Sequence, residues 1–238
     1  MKFKSPNFDC RPHGVTIDTL VLHHTNMKDA DAALQRLCNP AAKVSCHYLI
    51  TKHAEVIQLV EERYRAWHAG LSCWHGREAV NDFSLGIELD NSGNEPFPTK
   101  QIDALIVLCK EIFARHCIVN VVSHAEIAPM RKDDPNYLFP WNTLAINGIG
   151  KFPTDSYDSN PYQLKWHYGD KSPEITKLQE KLLKYGFCLN VTGEFDLMTK
   201  QVVMAFNRRF NPRSFIQGSA ECWSSEAEEA LEFLLKNS

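Results

Sequence analysis

Residues 118–122, Ile-Val-Asn-Val-Val, run straight into Ser123-His-Ala-Glu-Ile-Ala-Pro-Met-Arg-Lys-Asp-Asp-Pro-Asn-Tyr-Leu-Phe-Pro-Trp141. The apolar, β-branched opening predicts a buried strand that ends at His124. The chain beyond His124 cannot continue as regular structure, because prolines at 129, 135 and 140 exclude a long helix interior. A rigid, irregular loop is therefore expected, and it crowds His124, Arg131, Lys132, Asp133 and Asp134 just past a strand end. Loops held in place by a scaffold are where function concentrates.

A second strand ends in the same way. Asp18-Thr-Leu-Val-Leu-His23-His24-Thr25 is apolar until it stops on two histidines. Side chains alternate across a strand, so only one of His23 and His24 can face a shared site. Two strand ends that each supply a His, with an Asp from the following loop, make a His, His, carboxylate set. Such a set leaves a fourth position open on zinc, as catalysis requires.

Outward from these strands the pattern alternates. Asp29 to Cys38 has helical spacing at Ala33, Leu34 and Leu37, closed by Asn39-Pro40. Ser45 to Thr51 and Val56 to Leu59 read as strands around a turn at Lys52 to Glu55, and Leu85 to Asp90 as another strand. Between them lies a loop rich in Trp, His and Gly. Thr99 is expected to cap an amphipathic helix from Gln101 to His116, and a short helix is expected at Thr143 to Ile146. Together these predict an α/β domain over residues 1–150, with a mixed central β-sheet flanked by helices and an entry arm over 1–17. Composition shifts near residue 150. Residues 151–170 read as a linker, most clearly Pro153 to Pro161. Helical patterns at Pro173 to Leu183, Asp196 to Phe210 (Asp196 as N-cap) and Ser224 to Leu235 then predict a small C-terminal three-helix bundle over 171–238. This tail has no cluster of catalytic groups.

The formal net charge of -3 over 238 residues argues against a general nucleic-acid binder, and no apolar run approaches a membrane span. Met1-Lys-Phe-Lys is not followed by the apolar core of a signal peptide, which points to the cytoplasm. Eight cysteines without a CxxC pair are expected as reduced thiols, with Cys46, Cys109 and Cys117 as small buried residues.

Five ordered segments resemble the zinc-dependent N-acetylmuramoyl-L-alanine amidase family. They are Val21-Leu-His23-His24-Thr25, Ser45-Cys-His47-Tyr-Leu-Ile50, Ala66-Trp-His-Ala-Gly70, Asn81-Asp-Phe-Ser-Leu-Gly-Ile-Glu88-Leu, and His124-Ala-Glu-Ile-Ala-Pro-Met-Arg-Lys132-Asp-Asp134-Pro135. The tail resembles a peptidoglycan-binding helical module through Ile175-Thr-Lys-Leu-Gln179, Tyr185-Gly186, Gly193-Glu-Phe-Asp196, Thr199 and Val202-Val-Met-Ala-Phe206. The resemblance implies one Zn2+ held by His23, His124 and Asp134, Glu88 as catalytic acid-base, and Lys132 as the partner of a developing oxyanion. It also implies a substrate in peptidoglycan or its (anhydro)muropeptide fragments, cut between the lactyl group of N-acetylmuramic acid and L-alanine of the stem peptide.

Plainer alternatives stand beside these roles: Asp133 for Asp134, a surface carboxylate for Glu88 with Asp90 on the same face, and a solvated charge for Lys132. Trp67, His68 and Ala69 are read as shaping the substrate groove, with core packing the alternative for Trp67. Arg131 is read with them as substrate-binding. His47 either lines the cleft or packs in the core. Asn136 stands where the family usually has Gly, and the left-handed backbone is tolerable to Asn. The rival reading is a non-catalytic muropeptide recognition protein, expected if a ligand or the base were replaced. A zinc peptidase lacks support because there is no HExxH helix. A wall-binding tail sets a periplasmic or secreted location against the cytoplasmic one. The sequence assigns no oligomeric state.

Overall fold

A computed structural model describes residues 3–153 and 162–237. The first half contains strands β1 (Phe8–Cys10), β2 (Thr19–His24), β3 (Tyr48–Ile50), β4 (Val56–Gln58), β5 (Tyr64–Ala66), β6 (Cys73–Trp74), β7 (Arg77–Glu78), β8 (Ser84–Leu89) and β9 (Asn120–Ser123). Its helices are α1 (Ala30–Leu37), α2 (Thr99–Arg115), α3 (His124–Ile127) and α4 (Trp141–Ile146). The tail adds β10 (Leu164–Trp166), α5 (Pro173–Tyr185), α6 (Leu197–Phe210), α7 (Arg213–Ile216), β11 (Trp223–Ser224) and α8 (Ser225–Lys236).

Five strands form the central sheet in the order β4-β3-β8-β2-β9. β3, β8, β2 and β9 run parallel, and β4 is antiparallel at the edge. All six residues of β2 are buried, as expected of a parallel strand covered on both faces. Alternation then divides the sheet. Leu20, Leu22, Leu85 and Ile87 pack against Ile102, Leu105, Cys109 and Ile112 of α2. Val21 and Val122 point the other way, into a cluster that holds Ile175, Leu182, Phe187, Phe206, Phe210 and Trp223 of the tail. His23 shares the Val21 face. In register beside Val21 and His23 lie Gly86 and Glu88 of β8, so one face of two neighbouring strands carries His23 and Glu88.

The tail does not hang from a tether. Its three long helices enclose an aromatic core, and that core continues without a break into Trp74, Phe83, Ala125 and Ile127 of the first half. Each fully buried aromatic of this kind contributes about 1.5–3 kcal/mol. Across the same junction, Arg209 of α6 reaches the carboxylate of Glu126 in α3 at 3.0 Å and the carbonyl of Val121 at 2.8 Å. Its guanidinium lies 4.0 Å above the Trp141 ring. Cys73 and Cys188 are joined by a disulfide across the junction.

Several expectations need correction. The reduced-thiol reading fails at Cys73 and Cys188, and Cys117 is exposed rather than buried. Thr99 lies inside α2, whose N-cap is Pro98 and makes no side-chain cap bond. The strand before the site loop starts at Asn120, with Val119 exposed, and His124 opens a helical turn instead of an irregular loop. A Ser123–Glu126 capping box explains that turn, because each side chain satisfies the other's backbone amide. Asp196 caps α6 as expected, through Thr199 N. The entry arm is anchored: β1 pairs with β5, and Arg11 donates to the carbonyls of Glu62, Asn81, Asp82 and Ser84. Of the expected linker, residues 154–161 lie outside the described residues, whereas Leu164–Trp166 is β10, paired with β11 of the tail.

Candidate active site

β2 and β9 are neighbouring parallel strands of the central sheet, so His23 near the end of β2 and His124 just past β9 arrive side by side. Ala125 N donates to Asp134 O at 2.9 Å, which folds the following loop back over α3 and returns Asp134 to the pair. His23 Nδ1 lies 2.9 Å from His124 Nδ1 and 3.0 Å from Asp134 Oδ2, and His124 Nδ1 lies 3.2 Å from the same oxygen. All three side chains are buried. Three donor atoms within 4.8 Å of one another suit one divalent ion, and no other such group occurs among the described residues.

Electrostatics favour ligation. Burial, then the neighbouring His124, lower His23 to a pKa of about 4, which keeps its lone pair available at neutral pH. Burial alone would raise Asp134, but His124 and His23 outweigh it and hold the carboxyl well below its ordinary value. Glu88 behaves oppositely. Burial, then the charge of Asp134, raise it to about 8 against the lowering effect of Lys132. Its Oε2 atom is buried with no hydrogen-bond partner. An orphaned carboxylate oxygen beside three clustered donors is what a site built around a cation and a reacting water requires, so the residues present fit a metal ion.

Glu88, His124, Lys132, Asp134 and Trp67 line one cleft of about 320 Å³, within the range of small-ligand pockets. His24 turns to the loop and accepts the Asn136 amide at 3.1 Å. Asn136 does not use a left-handed backbone; its side chain instead donates to Gly93 O at 3.0 Å and accepts from Leu138 N at 2.8 Å.

The structure divides the residues expected along the groove. Trp67 is half-buried in the cleft wall. His47 is fully buried away from the cleft: its Nδ1 accepts the Gly86 amide at 2.9 Å, and its Nε2 lies 3.1 Å from Tyr64 O. His68 borders the same cleft, and its buried ring backs His23, with ring nitrogens 3.1 Å from His23 Nε2 and 3.2 Å from Ser84 Oγ. Burial and the surrounding imidazoles hold it neutral, its pKa well below the ordinary value. Ala69 presents its carbonyl to His124 Nε2 at 3.2 Å. Arg131, at the cleft rim, donates to the carbonyls of Ala69 and Leu71, so its guanidinium braces the loop. Sequence reasoning missed Asn81, whose Oδ1 accepts the amides of His68 and Ala69, and Ser84; both lie within the family-like segments.

Three clustered potential metal donors beside an orphaned carboxylate oxygen, at the ends of strands in a largely parallel sheet, suit metal-assisted hydrolysis. Comparison with known proteins gives the family. Residues 13–137 match the N-acetylmuramoyl-L-alanine amidase family, and residues 171–213 match a putative peptidoglycan binding domain. The chain is 37% identical to the N-acetylmuramoyl-L-alanine amidase AmiD of Escherichia coli over 90% of its own length and 82% of that protein. It is 34% identical to the 1,6-anhydro-N-acetylmuramyl-L-alanine amidase AmpD of Enterobacter cloacae, over 58% of this chain and 84% of that one.

Among solved structures, E. coli AmiD in complex with anhydro-N-acetylmuramic acid-L-Ala-D-gamma-Glu-L-Lys superposes with a TM-score of 0.78, at 35% identity over 95% of this chain and 92% of that one. AmpDh3 of Pseudomonas aeruginosa with an anhydromuramic pentapeptide gives 0.77 at 28% identity, over 100% and 99%. The chain belongs to the N-acetylmuramoyl-L-alanine amidase family, and it is an enzyme that hydrolyses the amide between N-acetylmuramic acid and L-alanine.

Proposed function

We propose that the chain is a zinc amidase that releases stem peptides from peptidoglycan or its anhydromuropeptide fragments, with one Zn2+ held by His23, His124 and Asp134. The observation that carries this reading is the packing of those three donors beside the unpartnered Oε2 of Glu88. A zinc ion held there would lower the pKa of water to about 7 and polarise the scissile carbonyl.

The protein's own groups supply the rest. Glu88, in register beside His23, is raised by burial; the charge of a bound Zn2+ would favour its carboxylate form, which accepts the water proton and gives it to the leaving amine. Lys132, exposed on the cleft wall, faces the charge that develops on the carbonyl oxygen. Trp67 offers an apolar wall to the substrate. The AmiD and AmpDh3 complexes, whose ligands are anhydromuropeptides, support the same substrate class here.

In this reading residues 1–150 form the catalytic domain, 151–170 the connection, and 171–238 a module that holds wall glycan or peptide. The match to a peptidoglycan binding domain supports that tail assignment. No helix among the described residues is long and apolar enough to cross a membrane. The Cys73–Cys188 disulfide belongs to oxidising compartments, which supports action outside the cytoplasm over the cytoplasmic alternative.

The test is mass spectrometry of anhydromuropeptides and of intact sacculi after incubation with the protein, with and without chelator, alongside Asp134→Ala and Glu88→Gln. Free stem peptide should appear, vanish with chelator or Asp134→Ala, return on adding Zn2+, and fall by at least about 100-fold in Glu88→Gln. Undiminished release in chelator would sink the metal reading. A wild-type rate in Glu88→Gln would remove the carboxylate from its role.

A further inference from the structure

Two sequence segments, Ala66-Trp-His-Ala-Gly70 and Asn81-Asp-Phe-Ser-Leu-Gly86, supply no group that reacts in the proposed chemistry. Their hydrogen bonds form a chain whose direction can be worked out from one end. Ser84 Oγ is 2.6 Å from Val80 O, and a carbonyl oxygen only accepts, so the hydroxyl proton is committed there. Ser84 Oγ must then accept from His68 Nε2 at 3.2 Å, which therefore carries a proton. His68 is buried among imidazoles; as a neutral ring protonated at Nε2, it has a bare Nδ1. That nitrogen accepts from His23 Nε2 at 3.1 Å. The proton of His23 is thereby fixed on Nε2, and its Nδ1 lone pair is left free toward His124 Nδ1 and Asp134 Oδ2.

We propose that His68, oriented by Ser84, is a positioning residue that sets the tautomer and ring direction of His23 for a bound metal ion. This inference rests on the reading of His23, His124 and Asp134 as the ligand set.

The surroundings are shaped for this ring. A Cβ on Gly86 would lie 2.4 Å from His68 Cγ, so only glycine at that register position lets the imidazole lie against β8. Asn81 Oδ1 accepts the amides of His68 at 3.1 Å and Ala69 at 2.8 Å, which pins the backbone that carries the ring. The same loop treats the second ligand alike, because Ala69 O receives His124 Nε2. Both histidines are thus presented through Nδ1, each by a partner from residues 68–69. Partners of this kind behind a metal-bound His are worth about 10- to 100-fold in metal affinity.

The experiment measures Zn2+ affinity of the full-length protein by competition with a chromophoric chelator, and the visible absorption of the Co2+-loaded form. The variants are His68→Leu, His68→Asn and Ser84→Ala, with His23→Ala and Asp134→Ala as controls. Leu and Asn are close in size, but only Asn can place an oxygen acceptor where Nδ1 stands.

His68→Leu should weaken Zn2+ binding about 10- to 100-fold and alter the Co2+ spectrum. His68→Asn should stay within about threefold of the parent, and Ser84→Ala should fall between them. Equal affinities for the Leu and Asn variants would mean that the ring only fills space, and would overturn the proposal. If His68→Leu does not fold, Ser84→Ala decides: an unchanged affinity and spectrum overturn the proposal, and a loss supports it. Unaltered Zn2+ binding in His23→Ala and Asp134→Ala would instead show that the ligand set itself is misread.

Discussion

His23 and His124 present equivalent nitrogens 2.9 Å apart, yet different regions of the molecule hold them. His23 leans on neutral groups within the first half: His68, then Ser84, then the Val80 carbonyl. His124 opens α3, and α3 is set by Glu126, whose Oε2 accepts from Ser123 N, Ser123 Oγ and Arg209 Nη1. Arg209 belongs to the tail. One side of the site is therefore supported by uncharged hydrogen bonds of fixed polarity, and the other by a buried ion pair that spans the junction. The tail is thus part of the support beneath His124, a proposed metal ligand.

The largest effect should come from breaking the ion pair. Arg209→Met strands the fully buried Glu126 carboxylate and should cost about 3–5 kcal/mol in denaturant unfolding. Adding Glu126→Gln should recover part of that loss, since no bare charge then remains. A loss below about 1 kcal/mol in the single variant would show that the tail is dispensable to α3.

The other region is broken with Gly86→Ala. The added methyl meets the His68 ring and should cost about 1–3 kcal/mol. A fully stable variant would mean that the ring can move aside freely.

Acid sharpens the contrast with a smaller, graded effect. Burial, then the charge of Arg11, lower His47 to about 3, whereas the unfolded chain titrates near 6.5. Between these values the unfolded state binds the extra proton. His47 therefore contributes stability in full above about pH 6.5, and that contribution is lost as pH falls toward 3, by about 1.4 kcal/mol per unit. Denaturation curves from about pH 7 to 4 should show this slope, and His47→Gln should flatten it. An identical slope in the variant would assign the acid sensitivity elsewhere.

Much of this was legible from local pattern. The strands leading to His23, Glu88 and His124 are apolar runs with β-branched residues, and the helices at α1, α2, α5 and α6 repeat their apolar positions at helical spacing, so each region announces its own type. The expected His, His, Asp set came from strand ends and the adjoining loop, whereas the roles of Glu88 and Lys132 came only from the family resemblance.

The features that escaped share a cause. His68 lies in an irregular loop, where no periodicity says which way a ring points, so its place at the cleft was readable but its contacts with His23 and Ser84 were not. Glu126 and Arg209 are 83 residues apart, and Cys73 and Cys188 are 115 apart; nothing in either neighbourhood names its partner. Thr99 looked like a helix cap because Thr caps well in general, but the chain enters α2 through Pro98.

The unbroken core between the halves has a consequence for synthesis. Chains emerge at about 5–20 residues per second. Val122, Trp74 and Phe83 are thus made several seconds before Phe206, Trp223 and Leu234 arrive to cover them. Until then the nascent first half has an uncovered apolar face, and Glu126 waits for Arg209. The order in which the ribosome delivers the chain makes the last helices the closing step of the fold, and a chain released early would carry its sticky face into the cell.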